Sequence, residues 1–440
     1  MTKNNNSNNQ DSSSNESSKK KTFYFTDFYG YPPQNKVIYV PTRELWPRAS
    51  VDTKYKLKNA DKGETPSSWL FKNRSVEQMT WSPGFPAIIN DKFVSSGGWK
   101  EKKGIKVFNL YEPPTIIRGD GSEASPWLNH IKKIYPLHVD HIVAWFAHHV
   151  QYPEEKLNHA LVLGGAQGIG KDTLLEPISR AVGPWNFKDI TPMHLLGRFN
   201  GFVKSVILRV SEARDLGPSD RYKLYEHMKI YTAAPPEVLR VDEKYINEYD
   251  VFNVCGVVIT TNYKAGGIYL PADDRRHYVA WSELNKDDFH KKYFESIWNW
   301  YESGGFEHVA DYLHDYDLSN FDPKAPPPKT NAFWDIVDAD RPIEDARMAD
   351  ALDRLGRPQV VTINEVSEAS KQDFKEWLED NGNRRYIPNR FEDAGYVKHR
   401  NPNANDGLWK INGSRKALYI KRELSEKDRS SAVNDYRSKM

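Results

Sequence analysis

A single cysteine, Cys255, in 440 residues excludes an intrachain disulfide and a cysteine-based zinc site, and it fits a reducing, cytosolic compartment. No apolar run approaches the roughly 18 residues that a spanning helix needs, so no membrane role is expected. The first 21 residues, "MTKNNNSNNQDSSSNESSKKK", lack the apolar stretch of a secretory signal and read as a disordered polar tail. A strong net charge is missing too. The 62 basic and 60 acidic side chains leave +2, so only the local distribution of charge is informative. There is no H-E-x-x-H pair, no G-x-S-x-G elbow and no internal repeat. His148 and His149, beside Trp145 in a helical stretch, read as packing residues.

Aromatic side chains, by contrast, make up 13% of the chain, enough for sizeable cores. Residues 22–115 read as a β-rich module of short strands punctuated by proline and glycine. Residues 116–158 have apolar residues at helical spacing and predict two helices. From 159 to 319, short β-branched runs alternate with helical stretches, the pattern of an α/β domain with a parallel sheet buried on both faces. "NFDPKAPPPKTNAF" lies in a proline-rich linker over 320–345, a small domain follows over 346–423, and 424–440 read as a charged tail.

The stretch "ALVLGGAQGIGKDT" (160–173) carries the chemistry. Gly165, four residues, then Gly170 and Lys171 satisfy the G-x4-G-K part of the Walker A pattern. Glycines let the backbone curl so that its N–H groups point at phosphate oxygens, and the following helix aims its positive end at the same place. Gly165, Ala166, Gln167, Gly168, Ile169, Gly170, Lys171, Asp172 and Thr173 are therefore the candidate nucleotide cradle, with Lys171 reaching the β- and γ-phosphates. The pattern asks for Ser or Thr after the lysine. Asp172 stands there with Thr173 next, and either is a candidate Mg²⁺ contact.

Three further motifs lie downstream. "SVILRVSEA" reads as a strand ending in Glu212, assigned to water activation and a link to the metal, with Ser211 where a second acid often stands. "VCGVVITTN" reads as a buried strand ending in Asn262, an amide able to sense the γ-phosphate. "LPADDRRHYV" offers Arg275 and Arg276. One of them is expected as a finger supplied to a neighbour's nucleotide, and the other as a structural partner of the aspartates.

The order of "GGAQGIGKDT", "VSEA", "VITTN" and "LPADDRRHYV" resembles the superfamily 3 helicases, a branch of the AAA+ ATPases, and more closely the helicase part of phage and plasmid primase–helicases. "MTWSPGFPAII", "GGW", "FNLYEPP" and "APPPKT" look like the flanks of that motor. The resemblance implies ATP, Mg²⁺, a hexameric ring, and movement on single-stranded DNA during phage or mobile-element replication in a bacterial host. It also implies a basic pore hairpin. "LRVDEKYINEYDVF" (239–252) occupies that interval, with Lys244 as its tip, Arg240 nearby and Tyr245 able to stack on a base. The chain has no room for a primase–polymerase domain before residue 116, so a separate primase or polymerase is expected as partner. A replication initiator or DNA-remodelling ring ATPase that does not unwind is the alternative. It is favoured by Ser211 and Asp172.

Near the C-terminus, "TINEVSEA", "KQDFKEWLED" and "NRRYIPNRFEDAGYVKHR" predict three helices, and "GLWKINGSRKALYIKREL" a hairpin turning at Asn-Gly. This is the pattern of a winged helix. Between Arg384 and Arg422 stand ten basic and three acidic residues, an excess of seven. Arg384, Arg385, Arg390, Lys398, Arg400, Lys410, Arg415 and Lys416 are the candidate DNA contacts. The expected architecture is thus α/β: an AAA+-like P-loop ATPase core, a β-rich N-terminal module and a C-terminal winged helix.

Overall fold

The computed structural model describes residues 23–57, 63–211, 217–339 and 342–439. The polar N-terminal tail lies outside them. The chain forms two compact units, residues 1–336 and 337–440.

In the first unit, β1 (Phe28–Tyr31), β2 (Lys36–Tyr39) and β3 (Glu44–Pro47) make an antiparallel sheet. It is covered by α1 (Arg48–Lys54) and α2 (Pro66–Asn73) around Phe28, Val37, Val51 and Leu70. A second sheet sets β4 (Gln78–Thr80) parallel to β6 (Gly98–Asn109), which pairs antiparallel with β5 (Ile88–Ser95). The residues expected as a separate β-rich module therefore belong to the same compact unit as the large sheet described next. The predicted helix pair follows as α3 (Ser125–Ile134) and α4 (Val139–Gln151). His148 and His149 are buried in α4, as packing residues would be.

The large sheet is built from β7 (Ala160–Gly165), β8 (Phe187–Ile190), β9 (Ile207–Val210), β12 (Gly256–Thr261) and β13 (His277–Ser282). Its order is β13-β7-β12-β9-β8, parallel throughout. β7 and β12 are buried at every residue, because helices cover both faces and leave no polar side. α5 (Lys171–Val182), the short α6 (Pro192–Leu195) and α7 (Pro218–Thr232) connect these strands, and the hairpin of β10 (Val238–Glu243) and β11 (Ile246–Phe252) enters before β12. The β4–β6 sheet braces that hairpin. Thr80 Oγ1 donates to the Asp250 carbonyl at 2.9 Å, and the Trp99 and Phe252 rings lie 5.3 Å apart. After the sheet come α8 (Tyr293–Trp300) and α9 (Phe306–Asp315). The stretch read as a linker then contains a helix, α10 (Asn331–Ala339).

In the second unit, α11 (Ile343–Arg354), β14 (Val360–Thr362), α12 (Ile363–Ala369), α13 (Gln372–Glu379) and α14 (Ile387–Asp393) precede β15 (Tyr396–His399). Thr362 starts α12 with a reciprocal capping box to Glu365. β16 (Trp409–Ile411) and β17 (Ser414–Lys416) form a hairpin that turns at Asn412 and Gly413, both at positive φ. β18 (Leu418–Lys421) lies between β14 and β15. Residues 424–440, read as a charged tail, instead hold α15 (Glu426–Ser438), which buries Ala432 and Val433 against Val360, Leu418 and Ile420.

Candidate functional site

β7 ends at Gly165, and a glycine-rich loop carries the chain into α5. Gly165, Gly168 and Gly170 have φ of +140°, +83° and +93°, a region that side chains rarely adopt. At Gly170 the constraint is doubled, because a Cβ would lie 2.6 Å from both His130 Cε1 and Phe294 Cε1. His130 holds this end of the loop. Its Nε2 lies 2.9 Å from the Gly170 carbonyl and its Nδ1 lies 3.0 Å from the Tyr293 hydroxyl. A carbonyl only accepts, so Nε2 carries the proton and Nδ1 accepts from the tyrosine. Burial lowers the His130 pKa and favours that neutral form.

α5 contains a proline, Pro177, which removes the hydrogen bond to the Thr173 carbonyl four residues earlier. The Tyr301 hydroxyl donates to that carbonyl at 2.8 Å and replaces the missing bond.

Lys171 begins α5 and is buried. Its ammonium donates to the carbonyls of Gly165 at 2.7 Å and Ala166 at 2.9 Å, and to Asn262 Oδ1 at 2.8 Å. Three donors meet three acceptors, so the lysine is fixed across the loop mouth. Burial lowers its pKa to about 8. Asp172 opposes that shift, and the charge of Arg209 adds to it. Asn262 stands just past β12, the strand between β7 and β9 in the sheet, which is why an amide 91 residues away meets Lys171.

A cavity of about 300 Å³ opens over the loop, lined by Gln167, Gly168, Gly170, Lys171, Asp172, Thr173, Arg209, Thr260, Asn262 and Phe294. It sits at the C-terminal ends of parallel strands, where α/β sheets take their ligands. Ile169 is fully buried beneath the loop. Asp172, expected as a metal contact, forms an ion pair with Arg209, and Thr173 is buried at the cavity wall. Glu212 lies outside the described residues. The strand that leads to it ends at Val210, and the Ser211 N–H donates to the Ile190 carbonyl at 2.9 Å.

Arg275 and Arg276 do not join this cavity. They precede His277, which pairs with Ala160 at the start of β7, whereas Ser282 pairs with Gly165 at its end. The arginines are therefore at the opposite end of the strands, roughly 20 Å from the loop at about 3.3 Å per residue. Asp274 organises their turn. It accepts from the N–H groups of Arg276 and His277, from His277 Nδ1 and from the Tyr225 hydroxyl. Burial would raise its pKa, but these partners, His277 first, hold it at about 2. Arg276 donates to the Lys229 carbonyl at 3.2 Å, while Arg275 is exposed.

The expected hairpin has Lys244 and Tyr245 at its turn. Tyr245 is 89% exposed, and the Lys244 ammonium is 4.9 Å from its ring centre. Arg240 is no free cation: Glu248 and Asp250 each pair with it at 3.1 Å. In the second unit Arg384, Lys398, Arg415 and Lys416 line a cleft of about 670 Å³ together with Lys375, Glu368 and Glu379. Arg385, Arg400 and Lys410 are exposed. Arg415 shares its charge with Asp406. Arg390 departs from expectation. Its guanidinium turns inward and donates to Asp345 at 2.8 Å, with both side chains mostly buried, so it ties α14 to α11 and is not part of the basic surface.

Arg209, His130 and Phe294 were not singled out from sequence. Arg209 carried a signal: a charged residue inside an otherwise apolar strand, on the same face as Ser211 by the two-residue period. His130 and Phe294 carried none, since only tertiary packing brings them to the loop.

A family of unknown function (DUF5906) matches residues 163–276, from the loop strand to the second arginine. No curated protein matches the chain. Among solved structures, an apo structure of the NrS-1 C-terminal region aligns with a TM-score of 0.63 and 15% identity, covering 90% of this chain and 95% of that one. Another apo form of that region aligns at 0.60. The fold is therefore shared over both units' length at low identity. A JCV helicase structure aligns at 0.31 over 58% of this chain, too slight a likeness to bear on the argument.

Proposed function

We propose that this protein is an ATP-dependent DNA helicase of the superfamily 3 type, a ring-forming, AAA+-like P-loop motor that moves on single-stranded DNA in phage or mobile-element replication. One observation carries the reading: Lys171 is buried between a glycine loop and Asn262, facing a cavity at the C-terminal end of the sheet. A buried ammonium with a lowered pKa in a positively curled loop is stabilised by a polyanion, and a triphosphate tail supplies one.

In this reading Lys171 binds the β- and γ-phosphates, Asn262 senses the γ-phosphate, and Glu212 orients water. The residues present also fit a Mg²⁺ ion carried in on phosphates. Asp172 and Thr173 border the cavity, and such an ion needs only one or two protein oxygens because it keeps several waters. Among the described residues no cluster of three or more His, Cys, Asp or Glu would hold a metal alone. When bound, the ion would neutralise charge on the β- and γ-phosphates. Arg275 is the arginine offered to a neighbouring subunit, since Arg276 is spent on its own chain's Lys229 carbonyl. Lys244 and Tyr245 contact the single strand, and the second unit is a winged helix that binds DNA phosphates through its exposed basic side chains. Among the described residues no helix is long and apolar enough to cross a membrane.

The second reading is a ring ATPase that loads or remodels without unwinding. It is favoured by Asp172 being engaged with Arg209, where the Walker pattern has a free hydroxyl. A strand-displacement assay on a forked duplex separates the two. Release of the labelled strand with ATP supports the helicase. DNA-stimulated phosphate release without displacement supports the alternative.

A further inference from the structure

β9 is buried except at Arg209, whose side chain is 16% exposed and lines the cavity over the loop. Its guanidinium makes three contacts. One nitrogen pairs with Asp172 Oδ1 at 2.5 Å, another reaches Asp189 Oδ2 at 3.3 Å, and Nε donates to Thr260 Oγ1 at 3.3 Å. Of the three partners Asp172 is the most exposed, at 80% of its side chain against 46% for Asp189, while Thr260 is buried. Asp172 is therefore the carboxylate that can leave into water.

We infer that Arg209 is a second phosphate-binding cation of this loop, kept in place by Asp172 until the phosphates of a nucleotide displace that carboxylate. The inference rests on the nucleotide reading above and adds a binding residue to it. The nitrogen that Asp172 vacates can donate to a phosphate oxygen as it does to a carboxylate oxygen, and a triphosphate tail carries more negative charge than one carboxylate. Asp189 and Thr260 continue to hold Nε and one terminal nitrogen while Asp172 swings out. The exchange also accounts for an acid standing beside a phosphate site. In the empty loop Asp172 balances Arg209, and in the loaded loop it is free to face solvent or an incoming cation.

The test is equilibrium binding of ATP to the full-length protein, in EDTA and in Mg²⁺, with thermal melts of each variant without nucleotide. Arg209→Ala is expected to melt close to the parent and to bind ATP at least tenfold more weakly in both conditions. Arg209→Lys is expected to recover part of the loss. Asp172→Asn removes the competing charge and is expected to bind ATP about threefold or more tightly in EDTA, from like-charge repulsion at short range in water. ATP affinity of Arg209→Ala within twofold of the parent would overturn the inference, as would weaker EDTA binding by Asp172→Asn. Should Arg209→Ala fail to fold, Arg209→Lys and Asp172→Asn still decide. If the parent and Lys171→Ala bind ATP alike, or neither binds, the nucleotide reading itself falls, whatever Arg209 does.

Discussion

Acid should unfold the first unit through a cluster of buried histidines, and the size of the effect follows from their surroundings. His148 and His159 are each 2% exposed. Burial lowers the pKa of His148 to about 4 and that of His159 to about 3, with His141 at about 4 beside it. His141 Nε2 and His159 Nε2 are 3.0 Å apart, so at most one of that pair carries a proton between them. The titratable groups facing the cluster are His138 beside His141, His277 beside His159, His149 beside His148 with Lys156 next to it, and Glu155, which is 3.6 Å from His148 and exposed. In the unfolded chain these imidazoles titrate near their ordinary value of 6.5. The unfolded state therefore binds protons first. The stability is intact above about 6.5, falls as the pH drops toward about 4, and levels off below the folded values. From 6.5 to 5.0 each such histidine costs about 2 kcal/mol, at roughly 1.4 kcal/mol per pH unit. Three of them approach about 4–6 kcal/mol, comparable to the whole stability of a typical domain. The assay is urea denaturation at pH 7.5 and pH 5.0 for the parent and His148→Phe. Phenylalanine keeps a ring between Tyr152 and Phe321 but takes no proton. The loss on acidification is expected to shrink by about 2 kcal/mol in the variant, whatever its stability at pH 7.5. An equal loss in both proteins would refute the argument.

Other expectations are more local. Gly170→Ala meets both a positive φ and a filled space, so about 2–5 kcal/mol of stability and most ATP affinity are expected to be lost. Gly413→Ala, with φ +76° but nothing within 4 Å, is expected to cost only about 1 kcal/mol in the same melts. Mixing Arg275→Ala subunits with Lys171→Ala subunits is expected to restore part of the ATP turnover that each lacks alone, and no restoration at any ratio would remove the shared-site reading. Lys398→Ala with Lys410→Ala is expected to weaken DNA binding equally across sequences and to lower the salt slope by about 1–2. Arg390→Ala is expected to lower stability instead, because it removes the mostly buried guanidinium that ties α14 to α11.

Much of the parallel sheet and its glycine loop was legible because their signals are local. β7 and β12 are continuous apolar runs, since both faces of a parallel sheet are covered, and the loop announces itself through glycines that alone tolerate its backbone. The Asn-Gly turn between β16 and β17 was equally plain. Four features were not legible, each for its own reason. His130 reaches the Gly170 carbonyl across 40 residues of chain, and no local pattern encodes that contact. Arg390 was counted with the basic surface because a charge tally does not know which side of a helix faces α11. α15 contributes only Ala432 and Val433 to the core, too few apolar residues to reveal a period. Arg209 is a lone charge in an apolar strand, and its partners Asp189 and Thr260 come from the flanking strands β8 and β12, which only the sheet order brings beside it.

The central claim is that the loop ending at Lys171 holds a triphosphate for cleavage. Phosphate release from ATP, measured with and without single-stranded DNA for the parent and a folded Lys171→Ala variant, tests it most directly. The account predicts turnover in the parent that rises with DNA, and a loss of about 100-fold or more in the variant. Equal release by the two proteins, or none by the parent in the presence of Mg²⁺ and DNA, would contradict it.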